Sequence, residues 1–152
     1  MIAALQWTVS ACPNTNLGYL EQQLAELREQ YPSELMLVCL PEGFACFDAP
    51  PETLKQFSNE SREFIEAVCI LAKRFSVWLS AGTIPIASGN KYYAASLLID
   101  ANGEQVARYN KIHLFAVGGD LSVELFWGLY CYWADHSRSH FSKLRTATSG
   151  HV

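Results

Sequence analysis

The sequence holds no run of lysines and arginines, no closely spaced cysteine pair, and no apolar stretch approaching the ~20 residues that cross a bilayer. Each absence excludes a class. Without a basic run, and with 11 basic against 15 acidic side chains for a formal charge of -4, nothing suggests a surface that tracks phosphates, so nucleic acid is not expected as a partner. The longest apolar candidates, Leu35 to Leu40 and Phe126 to Ala134, are too short to span a membrane, so no membrane partner is expected either. The opening Met1-Ile2-Ala3-Ala4-Leu5-Gln6 has no basic n-region and does not read as a secretory signal, which makes a cytoplasmic location the default expectation. Cys12, Cys39, Cys46, Cys69 and Cys131 form an odd count with no C-x-x-C spacing. Reduced thiols, mostly in the core, are expected rather than a disulfide framework.

What is present is apolar material. Half of the 152 residues are hydrophobic and 17% are charged, enough for one globular domain with a real core. Residues 2 to 8 read as a first strand. After Pro13-Asn14-Thr15-Asn16, the residues Leu17, Leu20, Leu24, Leu27 and Tyr31 recur at three- and four-residue spacing, which predicts an amphipathic helix stopped by Pro32. Leu35-Met36-Leu37-Val38-Cys39-Leu40 is a continuous apolar run, the pattern of a strand buried on both faces, and it ends at Pro41. Phe57, Ser61, Phe64, Val68, Ala72 and Phe75 predict a second helix, with Ser58 or Asn59 as its N-cap. Val77 to Thr83 reads as a third strand. Tyr92 to Ile99 and Glu104 to Tyr109 form a hairpin around Asp100-Ala101-Asn102-Gly103, whose glycine tolerates positive φ. The order strand, helix, strand, helix, strand, hairpin gives an α/β layered fold.

Two positions invite chemistry. Glu42 directly follows a buried strand, and in open α/β sheets reacting groups collect at the carboxyl ends of strands. Partial desolvation there suits a carboxylate to general-base work, against the alternative of an ordinary loop glutamate. Lys111 lies just past another predicted strand, in Arg108-Tyr109-Asn110-Lys111-Ile112-His113-Leu114-Phe115, where an ammonium could offset a developing oxyanion, pair with a carboxylate or remain a solvated surface charge. His113 reads as a hydrogen-bonded structural histidine.

Taken together, Leu40-Pro41-Glu42 and Tyr109-Asn110-Lys111-Ile112-His113-Leu114-Phe115, in this order and at this separation, resemble the glutamate and lysine motifs of the nitrilase superfamily of carbon-nitrogen hydrolases. The resemblance runs from about residue 1 to 115 and includes Gln6, the Asn16-Leu17 helix start and the strand containing Gly82. It implies the N-terminal part of an αββα sandwich whose members hydrolyse nitriles or small non-peptide amides through a Cys-Glu-Lys triad, with no metal or organic cofactor. Glu42 would then be the general base and Lys111 the oxyanion partner. The amidase branch, with its omega-amidase and deaminated-glutathione-amidase members, is the most similar in the lysine segment. The resemblance further implies a small-molecule amide as substrate and a homo-oligomer as the form of assembly. On the loop Gly43 to Pro51, Phe44 and Phe47 are placed at the pocket border, with packing as their alternative role.

The resemblance stops soon after Phe115. Nothing fits the family's nucleophile segment, Cys-Tyr-Asp-hydrophobic-Arg-Phe-Pro. Cys131-Tyr132-Trp133-Ala134-Asp135 comes nearest, but it follows Lys111 by only twenty residues and lacks the Arg-Phe-Pro continuation. Cys131 therefore reads as an aromatic-packed or exposed thiol before it reads as a nucleophile. Cys131, His136 and His140 offer a thiolate and two imidazoles, yet lack a fourth zinc ligand. The expected division is a partial, incomplete hydrolase domain over 1–116 and an irregular tail over 117–152, consistent with a shifted reading frame or a truncated gene copy. Such a chain is expected to be inactive, or to persist as a binding or assembly module of the same fold.

Overall fold

Leu20, Leu24 and Leu27 lie on one side of a helix, and all three are buried in one core cluster with Val38, Leu79 and Ala81 of the central strands. Burying each leucine contributes about 2 kcal/mol, which sets the layer arrangement. The computed structural model describes residues 1–47 and 49–112. In chain order these form β1 (Ile2–Ala4), α1 (Pro13–Gln30), β2 (Leu37–Cys39), α2 (Pro51–Phe75), β3 (Trp78–Ser88), β4 (Lys91–Ile99) and β5 (Gln105–Asn110). The five strands make one sheet in the order β1-β2-β3-β4-β5. Pairing is parallel from β1 to β3 and antiparallel from β3 to β5, so two βαβ crossovers are followed by a meander. These elements carry one sheet and one helical layer of the expected α/β sandwich.

The helices begin on prolines. Pro13 and Pro51 each stand in the first turn, where the missing N–H is one the helix start leaves unpaired and the fixed φ already suits the helix. This corrects the expected cap of the second helix. Ser58 and Asn59 lie inside α2, and their side chains donate back to the carbonyls of Leu54 and Lys55 at 2.6 and 2.8 Å. At the other ends, the Arg28 guanidinium donates to the carbonyls of Tyr31, Pro32 and Glu34 beyond α1 and to those of Phe75 and Ser76 at the end of α2. One cation thus satisfies the orphan carbonyls of two helix ends and fastens them together.

The strands differ from expectation in three ways. β1 is shorter than residues 2 to 8. In β2 only Val38 is fully buried while Leu37 and Cys39 are half-buried, so helices cover one face and the strand is not enclosed on both. β3 runs past Thr83 to Ser88, straight through Pro85, with an irregularity in its pairing to β4 between Ala81 and Ile84. Its pairing with β2 stops at Ser80, so among the described residues Pro85 sits where β3 has a strand neighbour on one side only and its missing donor costs nothing. The thiols also depart from expectation. Cys12, Cys39, Cys46 and Cys69 are all free, but only Cys46 is buried.

The hairpin turn forms as predicted. Gly103 has φ +81° and donates its N–H to the Asp100 carbonyl at 3.0 Å, and a Cβ there would lie 2.5 Å from the Cys69 carbonyl oxygen. The turn therefore packs against α2 as well as reversing the chain. Among the described residues no helix is long and apolar enough to cross a membrane.

Candidate active site

Beyond Cys39, the chain makes one more sheet-like bond, Leu40 N–H to the Ser80 carbonyl at 3.0 Å, and then turns. Phe44 N–H returns to the Pro41 carbonyl at 3.2 Å and Cys46 N–H to the Gly43 carbonyl at 3.1 Å, so residues 41–46 form two overlapping turns with Glu42 in the first. This turn is seated against the irregular part of β3. A Cβ on Gly82 would lie 2.3 Å from the Pro41 oxygen, a separation no side chain can accept, so only glycine lets the strand and the turn approach. The aromatic next to the site has a structural role. Phe44 is wholly buried and packs at a tilt on Phe64 with ring centroids 5.7 Å apart, which favours the packing role over the pocket border, whereas Phe47 remains exposed.

Lys111 arrives from the far edge of the sheet. It is the first residue past β5, and its N–H donates to the Ala94 carbonyl at 2.8 Å. Its side chain turns inward and Nζ donates to Glu42 Oε1 at 2.8 Å. The two residues the sequence singled out, 69 positions apart, thus form one ion pair. The lysine side chain is only 3% exposed and the glutamate 29%. A buried ammonium requires a counter-charge, and a charge-assisted bond of this length provides one. The partly open carboxylate remains accessible to a proton donor or acceptor entering from solvent. The pair can therefore hold a proton at Glu42 Oε and place positive charge beside a developing anion.

Three of the four described thiols are poorly suited to attack. Burial pushes Cys46 up to about 11 and also raises Cys39. Cys69 is raised by burial, with the negative charges of Glu66 and Asp100 adding to it. Such thiols stay protonated at neutral pH, and the thiolate is the nucleophile. Cys12 differs. It is exposed, and hydrogen bonds from the Thr15 side chain and backbone lower its pKa. Cys131, His113, His136 and His140 lie outside the described residues, and among the described residues no three side chains are grouped to hold a metal ion. One contributor escaped sequence reasoning. Thr83 sits in the β3 irregularity and accepts from Gly43 N–H at 3.1 Å. The Gly82-Thr83 pair inside an apolar strand was the available signal, since glycine within a strand marks a bulge or a close backbone approach.

Known proteins share this sequence and fold over part of their length. The chain is 35% identical over 123 residues to deaminated glutathione amidase of Synechocystis sp., the match covering 77% of this chain and 43% of that protein. It is 29% identical over 122 residues to human omega-amidase NIT2, covering 76% of this chain and 41% of the relative. The chain thus spans less than half the length of these relatives. In fold it is similar to Saccharomyces cerevisiae Nit3 of the nitrilase superfamily, with a TM-score of 0.65 at 24% identity over 75% of this chain and 44% of that one. The carbon-nitrogen hydrolase family model matches residues 1–128, and the chain belongs to that family.

Proposed function

We propose that this chain supplies the acid-base half of an amidase site, with Glu42 as general base and Lys111 as the cation that offsets a tetrahedral oxyanion. The observation that carries this reading is the 2.8 Å contact between Lys111 Nζ and Glu42 Oε1, which joins two distant sequence motifs at the end of a central strand. The chemistry follows from the family. Glu42 takes the proton of a cysteine thiol whose sulfur adds to the carbonyl carbon of a small non-peptide amide, and the oxyanion that forms is offset by Lys111. As the C–N bond breaks, Glu42 delivers a proton to the departing ammonia and leaves a thioester. It then takes a proton from the water that cleaves the thioester and restores the thiol. The names of the Synechocystis and human relatives support an amide of this class as substrate.

The 152-residue chain by itself is proposed to be inactive. Glu42 and Lys111 can protonate and polarise but cannot form the thioester, and the thiols at 39, 46 and 69 are held protonated. A partial hydrolase domain over residues 1–116 is part of this proposal, while the family match itself runs on to residue 128. The second reading, a binding or assembly module of the same fold that pairs with further copies, is favoured by the protonated state of the thiols at 39, 46 and 69.

Ammonia release from a panel of small omega-amides tests this, using the purified chain beside its Cys131→Ala, Cys12→Ala and Glu42→Gln variants. No release above the Glu42→Gln background is expected. Activity abolished by Cys131→Ala or by Cys12→Ala would assign the nucleophile to that thiol and overturn the proposed inactivity.

A further inference from the structure

Two buried polar side chains outside both motifs, Asn16 and Thr83, hold the backbone around Glu42. Thr83 Oγ1 accepts from the N–H of Gly43, the residue directly after the glutamate. Asn16 works from the opposite direction. Its Nδ2 donates to the Ala45 carbonyl at 3.0 Å and to the Ser10 carbonyl at 2.8 Å, while its Oδ1 accepts from Ser10 N–H at 2.8 Å. Phe47 N–H donates to the same Ser10 carbonyl at 3.3 Å. The turn at 41–46 is therefore fastened to β3 at one point and to the loop before α1 at others.

Neither side chain is explained by its own element. Asn16 stands in the first turns of α1, yet the helix start has no side-chain cap, and each side-chain bond of Asn16 among the described residues goes to a loop. Leucine would fill a wholly apolar helix position at less desolvation cost. Thr83 is fully buried in a strand where valine has the same shape, so its hydroxyl carries a burial cost that, among the described residues, the Gly43 bond offsets. The turn's own two hydrogen bonds, Phe44 to Pro41 and Cys46 to Gly43, fix its shape but not its placement on the sheet.

We infer that Asn16 and Thr83 are positioning residues for the Glu42 carboxylate, setting the turn so that Glu42 lies where Lys111 meets it. The functional weight of this inference rests on Glu42 being the base, but its test reads the ion pair and so separates the two. In the full chain, the scalar coupling across the Lys111 Nζ–H···Oε1 Glu42 hydrogen bond is followed by NMR in Thr83→Val, Thr83→Ser and Asn16→Leu, with core methyl signals reporting the fold. The coupling should vanish in folded Thr83→Val and Asn16→Leu and persist in Thr83→Ser. Exchange of the Gly43 amide should become about tenfold faster in Thr83→Val, the effect of one lost buried hydrogen bond. Coupling that persists in folded Thr83→Val and Asn16→Leu would overturn the inference. Should the valine variant not fold, Thr83→Ser decides, because a folded serine variant without the coupling overturns it as well. Loss in the valine and leucine variants with retention in serine supports it, whatever the fate of Glu42 as base.

Discussion

Glu42 and Lys111 meet in one ion pair, yet the parts of the molecule that deliver them differ in character. Glu42 rides on a turn packed beside the central strand β3, with Gly82 under its preceding carbonyl and Thr83 on its following amide. Lys111 ends β5, the edge strand of the described sheet, where Gln105 to Tyr109 are all exposed. The carboxylate's position is therefore built into the core, while the ammonium's depends on the registration of a hairpin. Burial runs the other way, since the lysine head is the more enclosed partner. The carboxylate is held against the core and partly open to solvent, whereas the ammonium is enclosed but carried by a peripheral strand.

The largest effect that would break this contrast is expected from Gly82→Ala. A Cβ 2.3 Å from the Pro41 oxygen must push strand and turn apart, at a cost of about 3 kcal/mol. Urea denaturation checks this, and an unchanged midpoint would show that the Glu42 turn is not seated as described.

Next comes an alkaline weakness on the Glu42 side. The Cys46 thiol, raised by burial from an ordinary value of 9.0 to about 11, binds its proton more tightly when folded. Its contribution is thus complete below pH 9 and is lost as pH rises towards 11, about 2.5 kcal/mol in all. Stability measured against pH should fall less steeply over this window in Cys46→Ala. Equal slopes for the two proteins would remove the thiol from the account.

The ion pair itself sharpens the comparison. Glu42→Gln leaves a buried ammonium without that counter-charge and should cost about 2 kcal/mol, whereas Lys111→Met leaves a carboxylate that water can reach and should cost under about 1 kcal/mol. Thermal unfolding of both variants orders them. A larger loss from Lys111→Met would reverse the assignment of the enclosed partner.

The smallest effect is expected at the hairpin that carries the lysine. Bonds from the Glu104 amide, and then from the side chain and amide of Asn102, hold the Asp100 carboxyl below its ordinary value. This support is present above pH 3.8 and is lost as pH falls through the lowered value. Asp100→Ala should speed amide exchange at Asn102 and Glu104 while leaving α1 untouched. Unchanged exchange at both amides would show that the carboxylate does not order the turn.

Much of this was legible in the sequence because it rests on periodicity and punctuation. Leucines at helical spacing, the apolar run ending at Pro41 and the Asp100 to Gly103 turn gave the layers, the strand end that precedes Glu42 and the hairpin that leads to Lys111. What escaped was tertiary. The start of α2 was misplaced because Ser58 and Asn59 look like caps, and only the structure shows their side chains bonded to helix carbonyls one turn back. The extension of β3 through Pro85 was hidden because it depends on where β2 stops, a property of the neighbour. The contact of Lys111 with Glu42 was implied by family resemblance, and no local pattern encodes a pairing across 69 residues.

Intact-mass spectrometry of the folded chain after incubation with a small omega-amide tests the central claim most directly, because it looks for the covalent intermediate that the acid-base pair alone cannot form. The account predicts an unchanged mass, with no acyl group on any of the five cysteines. An acyl adduct on one cysteine that disappears in Glu42→Gln would contradict it and show that this chain carries a complete site.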